Sequence, residues 1–337
     1  MIIDAHAHLM PMSELFSYRS MLQTSNGHQG YETAHVISDE LIAKSAKRNV
    51  ELMDQVGTDF QFLSPRPFML MHSNPNVRDV VAWARLNNDC IARTAKLYPN
   101  RFRGVAALPQ AAKEPLAFCF EELDRAIDDL GFIGVLLNPD PGEGTGVVPP
   151  LGDPYWYPLW EKLIEMDVPA LVHAAGCCGR ETYDEHFATE ESLAITSIAR
   201  ERVFERYPQL KLIISHGGGA IPYQFGRWKA FGLRRNQNYE KHGLPTYEPF
   251  EDTLKRFYFD TCLHYKPSLE LLFNLVGPDR CLFGTERPGS GSATDPETDQ
   301  QMDDIAPIIN SVASLTEADK RMILEENAKS VFSRFQP

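Results

Sequence analysis

Eight short apolar, β-rich runs recur along this chain, and most of the intervals between them carry helical periodicity. The runs are Ile2–His6, Phe60–Ser64, Phe102–Leu108, Phe132–Leu137, Ala170–His173, Leu212–Ser215, Phe257–Asp260 and Cys281–Phe283. Strands that are apolar almost throughout are buried on both faces, which requires a parallel sheet covered by helices. Amphipathic stretches at Asp39–Val56, Val77–Leu97, Pro115–Leu130 and Tyr155–Met166 supply that cover. Within Pro115–Leu130 the spacing predicts a buried stripe of Phe118, Leu123 and Ile127 and a polar face of Glu122, Arg125 and Asp128. Eight strand–helix repeats over 337 residues fit an α/β fold of the (β/α)8 TIM barrel type better than an open, doubly wound sheet. No linker or low-complexity stretch divides the chain, so residues 1–337 are expected to form one barrel domain.

Two segments break the rhythm. Residues 9–38, rich in Met, Ser, His and Gly, read as a long loop over the barrel mouth; residues 286–297 read as a Gly/Ser-rich loop after the eighth strand. The closing stretch Leu315–Phe335 reads as a helix, with Thr316 as N-cap and Glu317 in its first turn.

In a barrel the C-terminal ends of the strands converge on one mouth, where barrel enzymes keep their active sites. Here nearly every strand end carries a reactive group. The first gives Asp4-Ala5-His6-Ala7-His8, the second Ser64-Pro65-Arg66, and the fourth Asn138-Pro139-Asp140. The fifth gives His173, the sixth His216-Gly217-Gly218-Gly219, the seventh Asp260-Thr261-Cys262, and the eighth Thr285-Glu286-Arg287. On an extended strand residues i and i+2 point to the same side, so both imidazoles of His6-Ala7-His8 can face the barrel axis. With His173 they offer three neutral imidazole nitrogens, a set suited to Zn²⁺ or another late first-row divalent ion. Glu286 either completes the ligands or sits just beyond them.

His216, in a glycine run that allows close backbone approach, is a candidate acid or hydrogen-bond donor, or else caps a turn. Asp260 either ligates the metal, orients His216 or bonds the barrel rim. Arg66, Arg180, Arg227 and Arg287 are candidate carboxylate clamps, with Arg66 the best placed, because a guanidinium pairs bidentately with a carboxylate. The Tyr155-Trp156-Tyr157 cluster reads as core packing.

The formal charge of −13 argues against nucleic acid and anionic membrane as partners but leaves room for an anionic substrate, since a few arginines reverse a field locally. No apolar run approaches the roughly 18 residues of a membrane span, and the N-terminus has neither the basic nor the apolar region of a secretory signal. Six scattered cysteines without a C-x-x-C pair read as reduced thiols of a cytoplasmic protein; the adjacent Cys177 and Cys178 read as packing near an active-site loop, with a redox-active pair as the alternative. A homo-oligomer is compatible with all of this.

H-x-H on strand one, His on strand five, His-Gly-Gly on strand six and an acid on strand eight resemble the metal-dependent amidohydrolase superfamily. Within it the chain is similar to the branch of aminocarboxymuconate-semialdehyde and resorcylate-type decarboxylases, over essentially its whole length through Glu326-Asn327-Ala328. A closer match is the sub-branch of 4-oxalomesaconate hydratases. It is carried by Ser64-Pro65-Arg66, Leu137-Asn138-Pro139-Asp140-Pro141, Trp156-Tyr157-Pro158, Pro169-Ala170 leading into His173, His216 through Tyr223, Gly226-Arg227 and Phe259 through Cys262. Decarboxylases of the branch carry Asp on strand eight, whereas this chain has Glu286, as the hydratases do. Its longer side chain suits a base that must reach a water. Two positions depart from the hydratase pattern: Phe187 stands where a Tyr is usual, and Ser292 where an Arg is usual.

The resemblance implies a metal-dependent lyase of aromatic-acid catabolism, with one divalent ion (Zn, or else Mn) on His6, His8, His173 and Glu286. Glu286 and His216 would be catalytic. Arg66, Asn138, His186, Tyr223 and Arg227 would bind a small polycarboxylate. Hydration is the leading reaction; non-oxidative decarboxylation and lactone or ester hydrolysis are the alternatives on the same scaffold.

Overall fold

The computed structural model describes residues 1–25, 28, 31, 37–176, 181–289 and 291–337. Strands β1 (Ile3–His8), β2 (Phe60–Ser64), β3 (Phe102–Ala107), β4 (Gly134–Leu137), β5 (Ala170–Val172), β6 (Leu212–Ile214), β7 (Tyr258–Asp260) and β8 (Cys281–Leu282) pair in sequence order. Every one of those pairings is parallel. The sheet then returns to its start: Ala5 N–H donates to Phe283 O at 2.8 Å and Glu286 N–H to His6 O at 2.7 Å. The fold is the expected (β/α)8 barrel.

Helices cover it from outside. Helix α1 (Ser13–Ser25) precedes α2 (Asp39–Val56), which starts on the Ser38 side chain and stops at Gly57 in the left-handed conformation. Then come α3 (Val77–Leu97), α4 (Phe120–Asp124), α5 (Tyr157–Glu165), α6 (Tyr183–Arg200), α7 (Val203–Arg206), α8 (Ile221–Lys241), α9 (Phe250–Leu254) and α10 (Lys266–Val276). The bounds of α2 and α3 are those that periodicity predicts. No helix among the described residues is long and apolar enough to cross a membrane.

Three expectations need correction. Residues 9–38 are not loop throughout, because α1 occupies Ser13–Ser25 and buries Leu15, Tyr18 and Leu22. The 115–130 region is a coil of changing pitch, with a 3-10 turn at Leu116–Cys119, α4, and a wider π turn at Arg125–Asp129. That change of pitch rotates the face away from simple helical spacing. Leu123 and Ile127 are buried as expected, but Phe118 is exposed, and Glu122 is buried under Arg85, Arg125 and Asn88. The C-terminal helix is likewise segmented, although Thr316 caps it as expected, in a reciprocal pair with Asp319.

Two apolar layers result. The larger lies between strands and helices and includes Phe102, Val135, Val172, Ile214, Phe259, Trp156 and Trp160. The smaller fills the barrel with Val105, Leu136, Leu171, Ile213 and Leu282 and is plugged by Phe332 and Phe335 from the C-terminus. Phe62 meets both plugging rings, with centroids 4.8 and 5.0 Å away. Gly134 leaves the space, since a Cβ there would come within 2.7 Å of Phe332. Phe332→Ala should therefore cost about 3–5 kcal/mol of stability, read as a lower midpoint in denaturant, while metal binding by the folded fraction is unchanged. A neutral substitution would mean that the plug does not support the barrel.

Candidate active site

Strand β1 changes face part-way along. Its register against β2 shifts between Asp4 and Ala7, so Ile3 and Ala5 join the interior layer while Ala7 joins the outer one. Such an extra residue re-aims the side chains that follow it. His6 and His8 consequently look into the barrel, where His8 meets Ser64.

Four imidazoles converge there with Glu286. The potential ligand atoms of His6, His173, His216 and Glu286 all lie within 4.8 Å of one another. His8 joins them, its Nε2 lying 3.3 Å from His6 Nε2 and 3.5 Å from Glu286 Oε1. His173 Nε2 and His216 Nε2 each stand 3.9 Å from the Glu286 carboxylate.

The other ring nitrogens are all engaged outside the cluster. His6 Nδ1 bonds Asp260 Oδ2 at 2.6 Å, His8 Nδ1 bonds Ser64 Oγ at 2.7 Å, and His216 Nδ1 bonds Glu191 Oε1 at 2.7 Å. His173 Nδ1 donates to the Ala174 carbonyl at 2.8 Å. Because burial pushes the His173 imidazole down to about 4, the ring is neutral and its Nε2 carries a lone pair. That nitrogen is buried without a hydrogen-bond partner. The His8 imidazole is likewise pushed well down by burial, and neutral rings anchored behind and turned toward a carboxylate are the donor set of a divalent metal centre. The residues fit the ion that the sequence implies.

Local backbone geometry serves the same end. His216 has φ 49°, and Gly217, Gly218 and Gly219 follow with φ of 62°, 89° and 60°. A Cβ at Gly219 would meet Ala188 O at 2.4 Å, so only glycine lets this turn pass under α6. Glu286 is also left-handed, at φ 57°. Two reactive residues in that region mark strain held at a working site.

Charge is distributed unevenly among the rings. Burial alone would lower His216, but the Glu191 carboxylate, its hydrogen bond and the nearby Glu286 and Asp260 raise it to about 9. Burial raises Glu286, yet the facing rings of His173 and His8 and the charge of His216 outweigh it and hold the carboxyl well below its ordinary range. Beneath the cluster Asp4 accepts from His6 N, Thr285 N, Thr285 Oγ1 and Gln61 Nε2, which ties β1 to β2 and β8.

The structure thus brings together His6, His8, His173, His216 and Glu286. Arg66 lies on the rim, its head bonded to Leu9 O and Pro288 O and its charge felt by Glu286. Asn138 is buried nearby: it donates to His72 Nδ1, and its Oδ1 accepts from Asp140 N and Ala175 N. His186 faces Glu181 and Asp140, whereas Tyr223 and Arg227 are exposed on α8, outside the cluster. Arg287 is not an open clamp, because its guanidinium is buried against Asp303 at 2.7 Å. Arg180, Cys177 and Cys178 lie outside the described residues.

Asp260 orients His6, and Glu191 orients His216. Sequence reading missed Glu191, although an acid on the otherwise apolar Ala194, Ile195 and Ile198 face of α6 is a signal for a buried partner. It also missed His72, whose Nε2–H donates to Leu108 O, and Tyr183, whose ring lies between Phe68 and Phe187. Burial and the Glu286 charge raise the Tyr183 phenol well above its ordinary range.

The Amidohydrolase family model matches residues 3–334. The chain belongs to that family. It is 33% identical to 2-keto-4-carboxy-3-hexenedioate hydratase of Sphingobium sp., over 99% of this chain and 96% of the relative. It is 28% identical to gamma-resorcylate decarboxylase of Rhizobium sp., over 95% and 97%. Among solved structures, 4-oxalomesaconate hydratase from Rhodopseudomonas palustris superposes with a TM-score of 0.85 at 30% identity, over 99% of this chain and 96% of that one. A 2,6-dihydroxybenzoate decarboxylase solved with 2,6-dihydroxybenzoate has a TM-score of 0.71 at 25% identity, over 98% and 99%.

If the Nδ1 anchors set the rings for an ion, Asp260→Ala should weaken metal affinity about 10–100-fold. Chelation followed by titration measures it, and an unchanged affinity would remove Asp260 from that role.

Proposed function

We propose that this amidohydrolase-family lyase hydrates a conjugated, keto- or enol-bearing polycarboxylate of the 4-oxalomesaconate type, in aromatic-acid catabolism. One observation carries the reading: the Glu286 carboxylate stands among the inward-facing imidazoles, 3.9 Å from the Nε2 of His216, whose Nδ1 is bonded to Glu191. Hydration needs that pairing of a base for water with an acid for carbon. The similarity to the two hydratases supports it.

His6, His8 and His173 would hold the ion, with Glu286 completing the set or standing beside it. Three imidazoles and a carboxylate favour Zn²⁺, with Mn²⁺ the second choice. When bound, such an ion polarises substrate oxygens and lowers the pKa of water.

The chain's own residues do the rest. Arg66 and Asn138 would hold substrate carboxylates at the rim. Glu286 takes one proton from water as its oxygen bonds to the β-carbon, and the π electrons move onto the conjugated carbonyl. The His216 imidazolium, held charged by Glu191, then delivers its proton to the α-carbon. Water's hydrogen and hydroxyl are both accounted for once Glu286 passes its proton back to the imidazole. We place the enzyme in the cytoplasm; all four described cysteines are free and buried.

The decarboxylase relatives support a second reading on the same scaffold. Incubating the purified protein with 4-oxalomesaconate separates the two, since hydration bleaches the conjugated chromophore and adds the mass of water without releasing CO₂. Release of CO₂ would establish decarboxylation instead. Glu286→Gln should lower turnover by roughly 10²–10⁴-fold, the usual worth of a positioned base, with metal content retained. Near-normal turnover would exclude Glu286 as the base.

A further inference from the structure

Helix α6 presents two adjacent stripes to the barrel mouth. Phe187 and Glu191 face His216, with ring centroids 4.3 Å apart in one case and a 2.7 Å hydrogen bond in the other. His186 and Glu190, each one residue earlier, face Asp140 instead; the potential ligand atoms of these three all lie within 4.8 Å of one another. Asp140 belongs to the turn after β4, where its backbone N–H is held by Asn138 and its Oδ2 accepts from Gly144 N–H at 2.5 Å.

His186 stands between two acids. The residue is only 2% exposed. Its Nδ1 lies 3.3 Å from Glu181 Oε2, and its Nε2, without a hydrogen-bond partner, points to Asp140 Oδ2 at 3.5 Å. Burial lowers the His186 imidazole, but Asp140 and Glu181 outweigh it and raise it, so without a metal the ring favours a proton shared between them. A neutral ring that donates from Nδ1 to Glu181 turns a lone pair toward Asp140 instead, and Glu190 adds a second carboxylate to the same space. Burial and the Asp140 charge already push Glu190 up to about 7. This repeats the arrangement of the main centre, with one ring nitrogen anchored on an acid and the other turned inward among oxygen donors.

We propose that Asp140, His186 and Glu190 form a second divalent-cation site, with Glu181 as the outer carboxylate that fixes the His186 ring. Two carboxylates and one imidazole suit Mn²⁺ or Zn²⁺. With three protein ligands and partial exposure, it binds more weakly than the main centre and is lost first on dialysis. A cation here stands one helical position from Phe187 and two residues from Asn138, so it offers the wall of the mouth a charge that a substrate carboxylate can approach. The rival is a proton on His186 bridging Glu181 and Asp140.

The test counts metal and is independent of the reaction catalysed. Protein dialysed to one retained equivalent is titrated with MnCl₂ and followed by electron paramagnetic resonance and calorimetry. Wild type should take up a second equivalent. Glu190→Gln and Asp140→Asn should each lose it while keeping the first, and Glu181→Gln should weaken it about 10–100-fold. Glu190 is partly exposed, so its variant remains informative even if Asp140→Asn folds poorly. A wild type that stays at one equivalent through millimolar Mn²⁺ would overturn the proposal in favour of the bridging proton. So would a second equivalent that survives both substitutions.

Discussion

The centre depends on four imidazoles that are anchored before any ligand arrives. Asp260 on β7 holds His6, Ser64 on β2 holds His8, the Ala174 carbonyl after β5 holds His173, and Glu191 on α6 holds His216. Each anchor comes from a different element, so the ring positions follow from closure of the barrel rather than from any local segment. Burial then makes alternative rotamers expensive, since a buried polar nitrogen turned away from its acceptor loses about 1–3 kcal/mol.

Closure and catalysis share a seam. The hydrogen bonds that return β8 to β1 involve Phe283, Glu286 and His6, and Asp4 takes four more from Thr285, Gln61 and His6. Burial raises Asp4 to about 6, so the seam is held by an acid whose charge is only tolerated there. At the opposite end the barrel is closed by Phe332 and Phe335 on Phe62. The division follows the general rule for barrels, with chemistry at the C-terminal strand ends and stability at the other face.

Much of this was legible in the sequence. Buried parallel strands write themselves as apolar runs, so all eight strands lie within or beside the expected runs; α2 and α3 have strong period and clear caps. The strand-end histidines were legible because strand position alone sends them to one mouth. What escaped has physical causes. Helix α1 hides in a segment of weak amphipathicity, since only Leu15, Tyr18 and Leu22 go inward. The 3-10 and π turns around α4 shift the face, which put Phe118 on the wrong side. Glu191 and Tyr183 lie on a helix far from any strand end, and which stripe of α6 faces the site is decided by how that helix docks. Arg287 looks like Arg66 in sequence, and only the buried Asp303 removes it from the rim.

On the proposed function, an acidic protein that handles a polyanion must make its mouth locally positive. Asp4, Asp260, Glu191 and Glu286 all surround the imidazoles, so the protein part of the site carries more negative than positive charge. Three of those acids, Glu191, Glu286 and Asp260, raise His216, and Glu286 also acts on Arg66. The acids thus act as the means of holding cations, protons and metal alike, at the points where a carboxylate must arrive. The same logic extends along α6, where the acids around His186 concentrate negative charge beside the mouth that the proposed polycarboxylate would enter. Carboxylates that crowd a substrate path without a counter-charge would repel it, which is the electrostatic reason for the cation proposed beside His186.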